Sequence, residues 1–326
     1  MNCNFKKKLK RGRKVKKTFK ILIGACIVIL LVVIAFILGL NGLKFLIYSD
    51  YYKIESDVCI NPGLNDGFVC QGICEFDANG KILVSGYMSD HSASRIYVTD
   101  EQNNSYYVSI TKNGKAFTGH AGGIASHGDK VYMVGDNSIY VINADDIFNA
   151  QNGDIVEILE VINTDNAGSS AFADENYLYV GEFHNGTNYV TEHPYTTPDG
   201  EYNAVIYRYS FDNLTAPDKI YSIRNEVQGI CFAEGKIVLS TSYGLADSYY
   251  YVYNEADAIE SGLTHLGAPV YYVCSPEKVV KGPAMAEGLD YYDGKVITLT
   301  ESASNKYIFG KFFFADKIVA LDLLKD

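Results

Sequence analysis

Two patterns of apolar residues divide the chain. From Ile21 to Leu40 about twenty consecutive positions carry no charge, whereas beyond residue 50 short apolar runs alternate with polar residues and end at Gly, Asn or Asp. A helix of about twenty apolar residues crosses a hydrocarbon core of about 30 Å. Short alternating runs bounded by turn residues are typical of β-strands. The sequence therefore predicts a membrane-spanning helix followed by an all-β region.

The β region repeats one pattern five times. Each copy has a small-residue segment, a turn rich in Gly, Asn or Asp, and a second apolar run, which together indicate a hairpin. The copies begin at residues 70–74, 121–125, 168–172, 227–231 and 286–290, with turns at 77–80, 127–129, 174–176, 233–235 and 292–294. Third strands are predicted at 95–98, 138–142, 205–209, 249–253 and 317–321, and fourth strands at 106–110, 155–159, 219–223 and 271–273.

This repeated order of four strands predicts the architecture. Copies 47–59 residues apart are typical of the blades of a β-propeller. A solenoid or an immunoglobulin-like sandwich also has many short strands, but neither repeats the same four-strand order five times. We expect an all-β fold, a propeller of five four-stranded blades, preceded by one N-terminal transmembrane helix.

The last copy lacks a fourth strand, and residues 51–60 form a strand-like stretch that belongs to no copy. A closed propeller leaves no long bare edge. We therefore expect residues 51–60 to pair with 317–321 and to close the ring.

Charge assigns a side of the membrane to each part. Residues 1–20 hold ten Lys or Arg and no acid, and Lys44 is the one basic residue close to the other end of the helix. Because basic flanks stay in the cytoplasm, we expect a cytoplasmic tail (1–20), a signal-anchor helix (21–43), a short linker (44–50) and an extracellular propeller (51–326) on a cell membrane. A cleaved signal peptide is the alternative, but no small-residue cleavage site follows the apolar run.

Two further features of composition restrict the function and the redox chemistry. Residues 51–326 contain 17 basic and 38 acidic residues, a formal charge of −21, which argues against nucleic acid as a partner. Five cysteines lie in this region, an odd number without metal-knuckle spacing. At most two disulfides can form, and burial as small apolar side chains is the simpler interpretation.

The repeat also predicts where a ligand would bind. Loops that enter the inner strands and loops between second and third strands open on one face of a propeller, around the central channel. The first set places Gln71, His120, Ser169, Gln228 and Glu287 there, and the second set places Tyr87, Asp136, Glu182, His184, Tyr243 and Glu301. We expect the ligand-binding residues to be Gln71, His120, Gln228, Glu287, Glu182, His184, Tyr243 and Glu301. Alternatively, these groups only satisfy buried amides and ordered water in the channel.

The long loop at 184–203 lies on this face and is either a lid or a tolerated insertion. No G-x-S-x-G, H-E-x-x-H, paired C-x-x-C or glycine-rich phosphate loop occurs. The sequence thus gives no evident cofactor. Calcium at Glu287 and Glu301 is a weaker expectation, because two acids without alternating oxygen ligands make a poor site.

Several motifs carry a resemblance over residues 68–326. They are residues 71–73 (QGI), 119–124 (GHAGGI), 180–183 (VGEF), 227–230 (VQGI), 239–244 (LSTSYG), 285–289 (MAEGL) and 301–307 (ESASNKY). As a set they resemble secreted or membrane-attached bacterial β-propeller proteins of undefined activity. The Gln-Gly and Glu-Gly pairs resemble, more loosely, five-bladed glutaminyl cyclotransferases and six-bladed calcium-dependent lactonases. That likeness implies a fold and does not fix an activity.

Two functions remain open from the sequence. The first is a membrane-tethered propeller that binds a small molecule, glycan or peptide at its central funnel. The second is an enzyme of the cyclotransferase or lactonase type, with Glu287 as acid/base and His120 or Gln228 holding the reacting oxygen.

Overall fold

The structure, a computed structural model, describes the backbone of residues 2–77 and 80–325 and the side chains of residues 17–76 and 80–325. Turn residues 78 and 79 and the basic side chains before Lys17 lie outside these residues. The chain divides after Ile47 into two compact units. The first contains helix α1 (Asn2–Ile47), in which the 31 residues from Lys17 to Ile47 are long and apolar enough to cross a membrane.

The linker expected at 44–50 is largely helical. Helix α1 continues to Ile47, and a second helix, α2 (Ser49–Ile54), begins two residues later. No glycine or proline stands between Lys44 and Ile54 to interrupt helical backbone. Tyr48 and Tyr51 are buried within the second unit. Strand β1 therefore covers only Glu55–Ile60 of the strand expected at 51–60.

The second unit is a five-bladed β-propeller, as the repeat predicted. The first blade contains β2 (Phe68–Asp77), β3 (Lys81–Met88), β4 (Arg95–Thr99) and β5 (Ser105–Lys112), with β6 (Lys115–Ala116) beside β5. The second blade contains β7 (Gly123–His127), β8 (Lys130–Gly135) and β9 (Ser138–Asn143). Helix α3 (Ala144–Phe148) and strands β10 (Asp154–Glu157) and β11 (Glu160–Asn163) follow.

The third blade contains β12 (Gly168–Ala173), β13 (Tyr177–Glu182), β16 (Ala204–Ser210) and β17 (Lys219–Ile223), and between β13 and β16 lies the hairpin β14 (Tyr195–Thr197) and β15 (Gly200–Tyr202). The fourth contains β18 (Val227–Ala233), β19 (Lys236–Thr241), β20 (Ser248–Asn254) and, after the hairpin β21 (Ile259–His265) and β22 (Ala268–Tyr272), β23 (Lys278–Gly282). The fifth contains β24 (Ala286–Tyr292), β25 (Lys295–Thr300) and β26 (Lys317–Leu321).

Ring closure by the N-terminal strand is confirmed. Strand β1 pairs antiparallel with β26, from Glu55 opposite Leu321 to Ile60 opposite Lys317, and so becomes the outer strand of the fifth blade. This pairing covers the edge of β26 that the fifth copy would otherwise leave bare. The last blade of the propeller is thus completed by the first strand of the chain.

Two of the predicted fourth strands belong to neighbouring blades. Strand β10 (predicted at 155–159) pairs parallel with β5 of the first blade, and β22 (predicted at 271–273) pairs parallel with β17 of the third. The fourth strands of the second and fourth blades are instead β11 and β23. Alternating apolar residues predict a strand but not its partner, because the same alternation can cover either edge.

The inner strands pack closely around the axis, and each contacts the inner strands on both sides. An added Cβ at Gly123 would lie 2.2 Å from the backbone nitrogen of Ala171, and one at Gly229 would lie 2.6 Å from the carbonyl oxygen of Glu287. Only glycine permits such an approach between backbones. Apolar side chains fill the spaces between blades in four buried clusters.

Candidate functional site

A cavity of about 820 Å³ lies where the five inner strands begin, and residues of all five blades line it. Of the residues predicted for the mouth it is lined by Gln71, Tyr87, His120, Asp136, Ser169, Gln228, Tyr243, Glu287 and Glu301. The repeat thus brings together six of the eight expected ligand-binding residues; Glu182 and His184 do not line the cavity.

β-bulges aim the first set of side chains at the axis. The register between the first two strands shifts across Gln71 in the first blade, Ser169 in the third, Gln228 in the fourth and Glu287 in the fifth. A bulge leaves the extra residue out of the pairing and turns its side chain. In the second blade β7 starts only at Gly123, so His120 reaches the cavity from the preceding loop. Three of the four bulge residues are followed by the glycine that the close inner packing requires.

Glu287 is the most buried acid of the cavity. Its exposed fraction is 3%, and no group in the described part of the chain hydrogen-bonds its carboxyl. Burial raises the pKa of Glu287 well above its usual value, and the neighbouring Glu301 raises it further. A carboxyl in this state holds a proton near neutral pH or requires a cation or a hydrogen-bond donor from a ligand.

Glu301 is better supported. Gln71 Nε2 donates to Glu301 Oε2 at 3.2 Å. Burial raises the pKa of Glu301 to about 7, against the opposing effects of the Tyr307 hydroxyl, the Lys306 ammonium group and Gln71. The two glutamates interact, so the proton of one depends on the charge of the other. Together they form an acid pair, with Gln71 bonded to Glu301 and Gln228 lining the same cavity.

Aromatic side chains and one lysine form the wall next to Glu301. The hydroxyls of Tyr87 and Tyr307 lie 3.3 Å apart, and the rings of Tyr87 and His120 meet edge to face at 4.9 Å. The Lys306 ammonium group lies 4.5 Å from the centre of the Tyr87 ring and donates to its hydroxyl. This wall offers hydroxyl, imidazole and cationic groups beside flat apolar surface.

Two long loops form the rim. The loop at 184–203 lines the cavity through residues 188–191; Asn188 Nδ2 donates to the Tyr243 hydroxyl at 3.0 Å, and Tyr189 packs edge to face on Phe183 at 5.4 Å. The second loop, at 301–316, contains a 3₁₀ helix (Phe309–Phe313) and contributes residues 306–310.

Sequence reasoning assigned only Glu301 of this second loop to the site and missed Lys306, Tyr307, Ile308 and Phe309. The signal was its length, because 301–316 separates the second and third strands of its copy just as 184–203 does.

Strand register explains why Glu182 points elsewhere. Tyr87, Asp136 and Glu301 are each seventh from the start of their second strand and Tyr243 is eighth, whereas Glu182 is sixth and still within its strand, so its side chain faces the interior of the third blade. Phe183 takes the seventh position in the third blade and lines the cavity. His184 is buried, and its Nδ1 lies 2.8 Å from the hydroxyl of Thr191 within the loop.

Glu182 is instead satisfied inside the third blade. Its oxygens accept from the backbone nitrogens of Ala167 at 3.1 Å and Val205 at 3.2 Å. They also lie 3.0 and 3.1 Å from His193 Nδ1. Its exposed fraction is 1%.

The structure also bears on the expected state of the cysteines and on the expected calcium site. Cys26, Cys59, Cys70, Cys74, Cys231 and Cys274, the cysteines that the structure describes, are free thiols. Burial raises the pKa of the Cys74 and Cys231 thiols. In the described residues no third acid, histidine or cysteine stands within ligand reach of Glu287 and Glu301, and calcium at this pair stays a prediction.

Comparison with known proteins gives remote matches. No protein-family model matches the chain, and no curated protein matches it. A structure described as an oxidoreductase (glucose dehydrogenase) of Thermus thermophilus is 12% identical, covering 82% of this chain and 99% of that chain, with a TM-score of 0.44. A chain of a nidogen/laminin complex is 12% identical, covering 72% and 73%, with a TM-score of 0.39.

Hydrazine synthase of Kuenenia stuttgartiensis is 9% identical, covering 70% of this chain and 55% of that chain, with a TM-score of 0.38. These values carry no argument about activity. The likeness to bacterial propeller proteins of undefined activity stays a prediction.

Proposed function

We propose that this chain is a membrane-tethered propeller that binds a small organic ligand in its central cavity, outside the cytoplasm. The observation that carries the proposal is Glu287, whose buried carboxyl lines the cavity and has no hydrogen-bond partner in the described part of the chain. A buried polar group without a partner is unfavourable unless a ligand, ion or water satisfies it.

The volume and the lining groups of the cavity restrict the classes of ligand that it can bind. Its volume of about 820 Å³ lies within the range of small-molecule sites, about 300–1,000 Å³. Glu287 and Glu301 suit an ammonium, amide or hydroxyl donor, while the rings of Tyr87 and Tyr307 suit a flat face with hydroxyl groups beside it. A glycan or a short peptide with a free amino group has both features.

Binding can be measured on the full-length chain in detergent. Small molecules that copurify are identified by mass spectrometry, and panels of glycans, peptides and calcium are screened by thermal shift. A ligand at a hundred times its Kd stabilises the fold by about 2.7 kcal/mol, and Glu287→Gln should abolish this shift. Glu201→Gln, at an exposed acid outside the cavity, is the matched control. Equal affinity of wild type and Glu287→Gln for every ligand found would overturn the proposal.

The raised pKa of both glutamates favours a second candidate function. A carboxyl that holds a proton near neutral pH can act as general acid/base, as a cyclotransferase or a lactonase requires. The two functions are separated by turnover of amino-terminal glutaminyl peptides and of lactones. Catalysis requires turnover by wild type that Glu287→Gln loses by about a hundredfold or more. Ligand binding without turnover of either substrate class leaves the binding function.

The location is tested separately. Ten basic residues in 1–20 favour a cytoplasmic tail, with residues 51–326 outside. Protease added to intact cells should then digest the propeller and spare the tail. Protection of the propeller contradicts this topology, and a mature N-terminus beyond residue 40 identifies a cleaved signal sequence instead of an anchor.

A further inference from the structure

We propose that the third blade holds a divalent transition-metal ion, zinc in the first place, at a site formed by Asp165, His193 and His265. Their ligand atoms all lie within 4.8 Å of one another. The three come from separate segments: the loop before β12, the loop at 184–203 and the tip of the β21–β22 hairpin. None of them lines the central cavity.

The distances fit one ion. Asp165 Oδ2 lies 3.1 Å from His193 Nε2 and 2.8 Å from His265 Nε2. The two imidazole rings are inclined by 71° with centres 5.2 Å apart, so they converge instead of stacking. Tetrahedral zinc with bonds of about 2.0–2.1 Å holds its ligand atoms roughly 3.3 Å apart. Rotation of the exposed Asp165 and the partly exposed His265 side chains has to open these two distances by about 0.2 and 0.5 Å.

A second observation supports the site independently. Glu182 fixes the His193 ring, because its carboxylate accepts from Nδ1 and is itself held by the two amides of Ala167 and Val205. With Nδ1 held by Glu182, Nε2 is the nitrogen that faces the site; it lies 3.1 Å from Asp165 Oδ2, and a metal ion would take the place of the proton between these two atoms. A carboxylate behind a histidine ligand is the usual support of zinc sites.

Charge also favours a cation here. Asp165 and Glu182 bring two carboxylates together; in the described part of the chain their ion-pair partners are His193 and His265, and no Lys or Arg pairs with either. The hydroxyl of Tyr207 donates to Asp165 Oδ2 at 2.9 Å and lies 3.2 Å from His193 Nε2. A divalent ion would neutralise both acids.

Exposure decides the kind of site. The His193 side chain is 8% exposed, but those of His265 and Asp165 are 33% and 44% exposed. Metal can therefore reach the cluster from solvent, and water can take the fourth position. Nitrogen and carboxylate ligands in this number suit zinc and its transition-metal neighbours better than calcium, which takes six to eight oxygen ligands.

The test uses the full-length chain in detergent, purified through a tag free of histidine and without chelator. We expect about one zinc per chain by elemental analysis. After removal of metal, titration with Co²⁺ should give the visible bands of tetrahedral coordination, and Zn²⁺ should displace them.

Variants locate the site. His265→Asn should abolish stoichiometric binding while circular dichroism stays that of a folded propeller, since His265 is partly exposed at a hairpin tip. Glu182→Gln should weaken Zn²⁺ binding about 10–100-fold through the His193 ring. His127→Asn, at a partly exposed histidine stacked on Phe211, is the matched control and should bind as wild type does. Absence of stoichiometric metal with a Co²⁺ spectrum like that of the free ion, or full binding by His265→Asn, overturns the proposal.

Discussion

Glu301 in the central cavity and Glu182 in the third blade occupy nearly the same place in their repeats, yet their surroundings are opposite. Glu301 lies beside a second acid, and burial raises its pKa to about 7. Glu182 meets two backbone amides and an imidazole and needs nothing more. A shift of one residue along a strand decides which face a side chain takes. An acid's position in a repeat therefore does not determine its role until the register is known.

Removal of each carboxylate gives the largest expected contrast. Glu182→Ala leaves two buried amides and His193 without their acceptor, and should lower the free energy of unfolding by about 3–5 kcal/mol. Glu301→Ala removes an acid whose partners Gln71 and Tyr307 line the cavity, where water can replace it, and should lower the free energy of unfolding by less than about 1 kcal/mol. Thermal unfolding followed by circular dichroism in detergent compares the two. Equal losses would show that both acids are structural.

The dependence of stability on pH sharpens the comparison. Raised pKa values in the folded state mean that Glu287 and Glu301 keep their protons when the unfolded chain has lost them. Stability is therefore greatest at low pH with respect to these acids, and falls as pH rises from about 4.5 to about 7. The double variant Glu287→Gln with Glu301→Gln should remove this decrease, of which Glu301 alone accounts for about 3 kcal/mol and Glu287 adds to it.

Asp290 must be controlled in that experiment. It is buried, burial raises its pKa to about 7, and it accepts from the backbone nitrogen of Glu75 at 2.5 Å. Its contribution to the loss of stability with rising pH has the same sign and remains in the double variant, so the Asp290→Asn variant is measured alongside. A wild-type stability that rises between pH 4.5 and 7 would contradict the burial of all three acids.

If zinc binds in the third blade, it should protect the loop at 184–203 from proteolysis, whereas a change in the central cavity should not affect this cleavage. His193 ties the loop at 184–203 to Asp165 and His265. Removal of metal, or His265→Asn, should therefore speed proteolytic cleavage within this loop, by about tenfold for each 1.4 kcal/mol of lost restraint. Glu301→Gln should leave the rate unchanged. Mass mapping of the first cleavage site measures the cleavage rate in each case. Equal rates with and without metal would show that the ion does not restrain the loop.

The smallest expected effect lies within the cavity. The Tyr307 hydroxyl lowers the pKa of Glu301, so Tyr307→Phe should raise that pKa further, by about one unit or less. The carboxylate band in infrared difference spectra reports the titration. Tyr243→Phe, whose hydroxyl accepts from Asn188 in the other loop, is the control. A decrease would mean that Tyr307 acts on Glu301 through something other than its hydroxyl.

The sequence by itself determined the repeating part of the molecule. Five copies of a hairpin pattern predict five blades, an unpaired stretch at one end and a missing strand at the other predict ring closure, and the polar residue before each inner glycine predicts residues at the axis. These features are local or periodic, because turn chemistry and alternation are set by neighbouring residues. For that reason Gln71, Gln228 and Glu287 could be placed together before any coordinates.

Tertiary structure alone decided what depends on partners distant along the chain. It assigned β10 and β22 to neighbouring blades, because an apolar alternation does not name the edge that it covers. It moved Glu182 away from the cavity by one position of register, and it brought residues 306–310 in through a loop whose path has no period. It also joined Asp165, His193 and His265 from three segments up to 100 residues apart. Contacts between residues so far apart along the chain follow from the closure of the ring and the folding of its long loops, which no local pattern in the sequence encodes.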